Sequence, residues 1–246
     1  MTRDPRRILL TPGYILHHRP YRDTSRILEV FTREHGRLSL FARGVRGPKA
    51  KLASVLQPFQ LLLLSWTGRG EAGQLTGAEC VEQGVSLPAS CLMSAFYLSE
   101  LLLKLTTRHD ALPALFDDYH ETLEGFRRGG QLEPGLRVFE KRLLETIGYG
   151  LDLSAEANTG ERIVAGAYYH FRPAQGLVPT AADAPGALAG ESLINLASER
   201  LQGVRELDDS RRLLQAALAQ CLEGRPLSTR TVAKAVVRRE ASNTRS

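Results

Sequence analysis

Residues 36–51, "GRLSLFARGVRGPKAK", begin as a strand and end as a basic loop. Leu38, Leu40 and Ala42 recur at every second position, which is the period of a strand with one buried face. The opposite face and the following loop are rich in cations: Arg37, Phe41 and Arg43 point outward, and Arg46, Lys49 and Lys51 follow. We therefore predict a strand whose inner face fills a core and whose outer face meets phosphates and bases.

Four more segments rich in Leu, Ile, Val and Phe surround this strand, with breakers such as "REHG" between them. The five predicted strands are 8–18, 24–33, 36–43, 55–66 and 73–81. A five-stranded barrel of this size is an OB-fold, which is a common binder of single-stranded nucleic acid. Pro58 lies inside the fourth segment, so we expect that strand to begin at an edge or to carry a bulge.

The sequence becomes helical from Leu87–Pro88 onward. Helical segments are predicted near 89–109, 111–130, 133–150, 191–202 and 207–223, with a last helix after Ser228. In the first of these, one side is expected to hold Leu92, Phe96, Ser99, Leu102 and Leu103. The predicted fold class is α+β, with an all-β OB-fold barrel at residues 1–82 and a mainly helical domain at 83–246. Residues 151–190 form an irregular insert in the second domain, with a short hairpin around 163–179.

Charge is unevenly distributed along the chain. Residues 1–80 hold 13 Arg or Lys and six Asp or Glu, a net +7, whereas the remaining residues carry −2 of the total +5. A basic N-terminal segment is typical of a protein that binds a polyanion. The alternative, that these cations are only solvated and that Phe41 packs against a neighbouring element, remains open.

Other classes find little support. There is no apolar run of the length of a membrane span, no secretory signal is recognisable, and three widely spaced cysteines are typical of reduced thiols in the cytoplasm. "GRGEAG" at 68–73 fits a dinucleotide-binding pattern, but the segment after it reads as a strand, so a hairpin turn is expected. No nucleophile elbow or phosphate-binding loop is present, so an enzyme is not predicted.

An ordered set of segments carries a family resemblance. "GYILHHRPYRDTSRILEVFTREHGRLSLFARGVR", "LQPFQLLLLSWTGRGE" and "LTGAE" are similar to the N-terminal domain of the bacterial recombination mediator RecO family. "FYLSELLLKL", "LFDDYHETL" and "LRVFEKRLLETIGYGLDL" resemble its helical domain. The match covers about residues 12–153, with a weaker similarity in "GRPLSTRTV".

The resemblance implies a function in DNA repair and homologous recombination. RecO proteins bind single- and double-stranded DNA, anneal complementary strands, and work with RecR and RecF to load RecA onto DNA coated by single-strand-binding protein. A cytoplasmic, nucleoid-associated protein without a cofactor is expected. Some members hold zinc in a four-cysteine module after "GYGLDL"; residues 154–180 contain no cysteine here, so no metal is predicted.

The resemblance also implies a receptor for the acidic C-terminal tail of single-strand-binding protein. The residues assigned to this receptor are Arg137, Lys141, Arg142, Phe96 and Tyr97. Arg137 stands where the family places a tail-binding arginine, and a guanidinium can pair with a carboxylate through two parallel hydrogen bonds. A solvated helix face is the alternative for these cations.

Two other functions remain open at this point. The first is an OB-fold RNA-binding or translation-associated module, which uses the same chemistry on another substrate. The second is an enzyme without a recognisable motif. Oligomeric state, the RecR-binding surface and any preference between single and double strands are not predicted.

Overall fold

The computed structural model of the protein describes residues 7–45, 52–68, 72–82, 86–229 and 231–232. Packing divides them into two compact units. The first unit holds the described residues among 1–129 and 227–246, and the second holds 130–226. The first two long helices thus belong with the strands, and the boundary between residues 82 and 83 stays a prediction.

Five strands of the first unit close into a barrel. They are β1 (Arg7–Tyr21), β2 (Ser25–Thr32), β3 (Gly36–Ala42), β4 (Leu62–Thr67) and β5 (Ala72–Cys80). The strand order is β1-β2-β3-β5-β4, and β4 closes the barrel against β1. β3 and β5 pair in parallel, whereas the other neighbouring strands of the barrel pair in antiparallel fashion. A closed five-stranded barrel followed by helices confirms the predicted α+β class with an OB-fold.

Alternate side chains of β3 are buried inside the barrel, as the sequence pattern predicts. Leu38, Leu40 and Ala42 are buried in one apolar cluster with Ile15 of β1 and Leu64 of β4. Burial of such side chains removes apolar surface from water and is the main favourable term for closing the barrel. The predicted inner face is confirmed.

The predicted fourth strand is wrong over its first half. β4 begins at Leu62, and the residues before it are turns and irregular backbone. Leu56 and Phe59 are nevertheless buried, and Phe59 has a φ of +65°, a value incompatible with a strand. Pro58 lies in this loop and cannot donate a ladder hydrogen bond. The apolar pattern there reflects burial of a loop rather than extended backbone.

Two helices complete the described packing of the first unit, after a 3₁₀ turn at Ala89–Cys91. They are α1 (Leu92–Leu105) and α2 (Pro113–Arg127). The ring of Tyr14 in β1 packs against Phe116 and Tyr119 of α2, and Tyr14 Oη lies 2.7 Å from His120 Nδ1. The side of α1 predicted from the apolar period is only partly buried, because Ser99 and Leu102 are buried whereas Leu92 and Phe96 are exposed. Its buried side is centred on Ala95, Leu98 and Leu102.

The second unit combines three helices with a small sheet. Its elements are α3 (Leu132–Thr146), β6 (Tyr168–Arg172), β7 (Gly176–Thr180), β8 (Leu188–Ala189), α4 (Gly190–Ala197) and α5 (Val204–Cys221). The sheet has the order β7-β6-β8, which confirms a hairpin near 163–179. The buried Asp209 of α5 accepts hydrogen bonds from the Ala189 amide and the Ser192 hydroxyl, and so fixes the start of α4.

Candidate nucleic-acid interface

The outer side of β1, β2 and β3 is organised in cross-strand rows. Arg19 is opposite Ile27, and Ile27 is opposite Phe41, so these three side chains lie next to one another. Tyr21 stands one row further along β1, toward the turn into β2. We call the surface formed by Arg19, Tyr21, Arg22, Phe41 and Arg43 the hairpin face.

Two aromatic rings lie together on the hairpin face. The ring centroids of Tyr21 and Phe41 are 5.5 Å apart, with an angle of 58° between the ring planes. Tyr21 is 38% exposed, and the guanidinium carbon of Arg22 is 5.3 Å from its ring centroid. Proteins that bind single strands place bases on such rings and use arginine for cation–π contact. The predicted aromatic, Phe41, therefore has a second ring beside it.

The hairpin face also carries exposed cations. Arg19 and Arg43 are exposed, and neither forms an ion pair with any described residue. Arg43 follows directly after β3, two positions beyond Phe41. Cations that are not neutralised internally can bind phosphate groups of a nucleic acid strand and release its counterions.

Arg37 has a different environment from the other outward residues of β3. Its guanidinium donates to the Thr106 carbonyl at 2.8 Å and lies 3.6 Å from the Glu29 carboxylate, and its side chain is only 12% exposed. Burial, and next the charge of Arg108, lowers the pKa of Arg37. The role of Arg37 in DNA binding stays a prediction. Its guanidinium already contacts Glu29 and Thr106 inside the protein.

Glu29 is the centre of this internal network. Both of its carboxylate oxygens accept hydrogen bonds from Arg108, at 2.9 and 2.8 Å. Ser39 donates to Glu29 at 2.6 Å and accepts from Arg108 at 2.6 Å. The network attaches the loop between α1 and α2 to β2 and β3. Because Arg37 of β3 contacts Glu29 and Thr106, its charge stabilises the folded protein.

Three predicted DNA-binding cations lie outside the described residues. They are Arg46, Lys49 and Lys51 of the loop after β3. Their role in DNA binding stays a prediction. The described end of that loop, Val45, is buried in the barrel core.

Sequence reasoning missed three residues of the hairpin face, namely Arg19, Tyr21 and Arg22. They belong to the segment "RPYRD", which resembles a chain breaker because of its proline and polar residues. The signal that could have found them is an aromatic flanked by arginines at a strand end. Their proximity to Phe41 depends on the antiparallel register of three strands, which the sequence does not display.

The predicted tail receptor has cations on α3 that already have carboxylate partners. Arg137 is 7% exposed and lies 3.2 Å from Glu140, which is fully buried. Lys141 and Arg142 both pair with Glu199, at 3.0 and 2.6 Å. These contacts leave the tail-binding assignment a prediction.

The two aromatic residues assigned to the receptor lie on α1 in the first unit. Phe96 is 43% exposed and its ring meets Phe59 edge-on, with centroids 4.8 Å apart. Tyr97 is half-buried. Phe96 therefore offers a partly accessible aromatic ring on the surface of the first unit.

The irregular insert borders a cavity of the second unit, and the part of the chain that the structure describes contains no metal centre. A cavity of about 480 Å³ is lined by residues including Tyr149, Asp152 and Phe171. Among the described residues, no three His, Cys, Asp or Glu side chains are grouped so that they could hold a metal ion. Within those same ranges, no helix has the length and apolar character required to cross a bilayer.

Comparison with known proteins matches both parts of the chain to one family. The family model described as Recombination protein O N terminal matches residues 7–83, and Recombination protein O C terminal matches residues 90–231. The chain belongs to the RecO family. The resemblance found in the sequence is thereby confirmed.

Curated relatives agree along nearly the whole chain. The DNA repair protein RecO of Methylococcus capsulatus is 44% identical over 227 residues, which cover 92% of this chain and 93% of that protein. The DNA repair protein RecO of Nitrosococcus oceani is 44% identical over 226 residues, covering 91% and 92%. That of Cupriavidus metallidurans is 38% identical over 229 residues, covering 92% and 77%. The chain is thus a RecO-family protein of the DNA repair class.

Proposed function

We propose that this protein binds single- and double-stranded DNA, anneals complementary strands, and helps RecR load RecA onto DNA coated by single-strand-binding protein. The observation that carries the proposal is the hairpin face, where the paired rings of Tyr21 and Phe41 lie beside exposed arginines on an OB-fold barrel. Membership of the RecO family supports the choice of DNA repair.

The proposed mechanism is physical rather than enzymatic. Two complementary strands repel each other because both backbones are negatively charged, and arginines bound to phosphates reduce that repulsion. Aromatic rings hold bases unstacked from their own strand, with their pairing edges accessible to a partner. Neither step breaks a covalent bond, so the proposed activity needs no nucleophile and no cofactor.

The proposed partners are RecR, RecF and the acidic tail of single-strand-binding protein, in the cytoplasm close to the nucleoid. For the tail, we propose Arg137, Lys141 and Arg142 of α3 in the second unit as recognition residues. The assignment of Phe96 and Tyr97 of α1, in the first unit, to the same tail stays a sequence-based prediction. Arg137→Ala should weaken binding of a fluorescently labelled tail peptide, measured by anisotropy, while annealing of naked DNA is retained. Unchanged affinity in Arg137→Ala and in Arg137→Glu would remove this residue from the receptor.

The test of the proposed function is annealing of complementary oligonucleotides, with and without single-strand-binding protein. We expect the Arg19→Ala/Arg43→Ala double variant to anneal more slowly than the parent protein. Arg33→Ala is the matched control, because Arg33 is an exposed barrel arginine whose guanidinium is held by Asp117 through two hydrogen bonds of 2.9 Å. Equal annealing by the double variant and the control would contradict the proposal. Tighter binding to RNA than to DNA of the same sequence, without annealing, would favour the RNA-binding alternative.

A further inference from the structure

A bulge in β1 directs two consecutive side chains to the outside of the barrel. The register changes between Ile15, which is opposite Val30, and His17, which is opposite Glu29. Leu16 is the extra residue at this irregularity, and it lies beside His17 in the wall of a surface groove. Bulges commonly redirect side chains in this way.

The groove lies between β1, α1 and the described residues Ser228, Thr229 and Val232. It encloses about 600 Å³. Its lining is mostly apolar and includes Leu16, Met93, Phe96 and Leu103, with His17 and Lys104 among its polar groups. Met93 is 37% exposed and Phe96 is 43% exposed, so a methionine and an aromatic ring are open to a ligand. This combination suits a flat apolar group such as a nucleobase.

The acidic residue in the groove is internally neutralised. The Glu100 carboxylate accepts hydrogen bonds from the backbone amides of Ser228 and Thr229, at 2.8 and 2.9 Å, and from the Thr229 hydroxyl at 2.7 Å. Lys104 lies 3.4 Å from the same carboxylate. Because Glu100 is occupied in this way, it presents little free negative charge to a phosphate backbone.

The groove and the hairpin face share strand β1. His17 and Arg19 are two positions apart on the outer side of β1, a step of about 7 Å along a strand. A nucleic acid strand bound at Tyr21 and Phe41 can therefore follow β1 past Arg19 to His17 and the groove. This shared strand favours single-stranded nucleic acid over the tail peptide as the occupant of the groove. Phe96 is therefore assigned here to the DNA strand, and recognition of the tail is left to Arg137, Lys141 and Arg142.

We propose that this groove is a second base-binding site, in which Phe96 and Met93 hold an unpaired base of the strand that also contacts the hairpin face. The inference rests on the proposed function and adds that the groove selects single-stranded nucleic acid. A base enters the groove only if it is free of its pairing partner, so the site binds single strands and not an intact duplex.

The test measures affinity for a thymidine oligonucleotide and for a duplex of the same length. Phe96→Leu keeps an apolar side chain against Phe59 but removes the ring, and should weaken single-strand binding at least about fivefold, the lower end of one base–aromatic contact. Duplex affinity should not change. Met93→Ser should act in the same direction. Leu92→Ser is the matched control, because Leu92 is also 37% exposed but does not line the groove.

The outcomes separate this inference from the proposed function. If Phe41→Leu weakens single-strand binding and Phe96→Leu does not, the groove is not a base site and the hairpin face stands. If neither variant changes the affinity, both proposals fail. Equal losses for single strand and duplex in Phe96→Leu would also overturn the groove, because they would indicate a general structural effect.

Discussion

Gly36 occupies the start of β3, where the backbone allows little else. Its φ is +63°, and a Cβ atom at this position would lie 1.9 Å from the carbonyl oxygen of Asp110. A side chain would therefore be strained by the backbone conformation and would also displace the loop between α1 and α2. That loop is attached next to it by a hydrogen bond of 2.9 Å from the His109 amide to the Arg37 carbonyl.

We predict that Gly36→Ala destabilises the protein by about 3 kcal/mol or more. Gly44→Ala is the control, since Gly44 has a similar φ of +66° but no described atom from another part of the chain within 4 Å of the place that its Cβ would take. It should cost only the backbone strain, about 1–2 kcal/mol. Urea unfolding followed by fluorescence of Trp66, the single tryptophan, reports on the barrel. Equal losses in the two variants would mean that the contact with Asp110 is unimportant.

At single positions, the sequence predicts which side chains share a face of a strand but not which tertiary partners they contact. Leu38, Leu40 and Ala42 follow from alternation alone, because a two-residue period fixes which side chains share a face. The same period places Arg37 outside, but it does not show that Glu29 and Thr106 will engage its charge. Whether an outward cation meets solvent or a carboxylate depends on the tertiary partner.

At the level of elements, α3 is joined to the end of α4 by a cluster of charges. Glu199, just after α4, forms ion pairs with Lys141 and Arg142 of α3. The hydrogen bond from Arg142 lowers the pKa of Glu199 below its ordinary value of 4.5. A carboxyl group with a depressed pKa stabilises the folded state above its unfolded value, and this contribution is lost as the pH falls through the folded value.

We predict that Glu199→Gln lowers the free energy of unfolding by about 1–2 kcal/mol at pH 7, as for loss of hydrogen bonds to charged groups. The difference between the parent protein and this variant should shrink as the pH falls below 4.5. Glu145→Gln is the control, because Glu145 is 46% exposed in its side chain and shares Lys141 with Glu199. Thermal unfolding followed by circular dichroism at several pH values measures both. A difference that stays constant with pH would contradict the role of the Glu199 charge.

Helices and strands were predictable where apolar residues recur with a regular period. They were not predictable where apolar residues are buried without such a period. The helices α2 and α3 follow from their apolar spacing and from the breakers at their ends. The first half of the predicted fourth strand failed, because Leu56 and Phe59 are buried from a loop. In α1 the apolar period did not indicate burial, since Leu92 and Phe96 fit the period but are exposed.

At the scale of the whole molecule, the sequence predicted only some of the residues of the hairpin face. Phe41 and Arg43 were found because they are two positions apart at the end of one predicted strand. Tyr21 is 20 positions earlier in the chain and lies next to Phe41 only because β1 and β3 both pair with β2. A surface assembled from several strands depends on register, and register is set by the turn and the core rather than by local pattern.

We predict that annealing by the whole protein needs neither a nucleotide nor a metal ion. Phosphate neutralisation and base stacking require only the chain's own side chains. Annealing rates in the presence of a chelator, and without any nucleoside triphosphate, should equal those in untreated protein. Loss of annealing or of folded structure on chelation would show that the cysteine-free insert holds a metal after all.

We predict that the hairpin face binds the phosphate backbone of a single strand. The most direct test is the affinity for a thymidine oligonucleotide at a series of salt concentrations, for the parent protein and for Arg19→Ala/Arg43→Ala. Each lost phosphate contact should lower the slope of log affinity against log salt by about 0.7, so the double variant should bind more weakly with a slope smaller by about 1.4. Binding of the double variant with unchanged affinity and an unchanged slope would place the DNA site elsewhere.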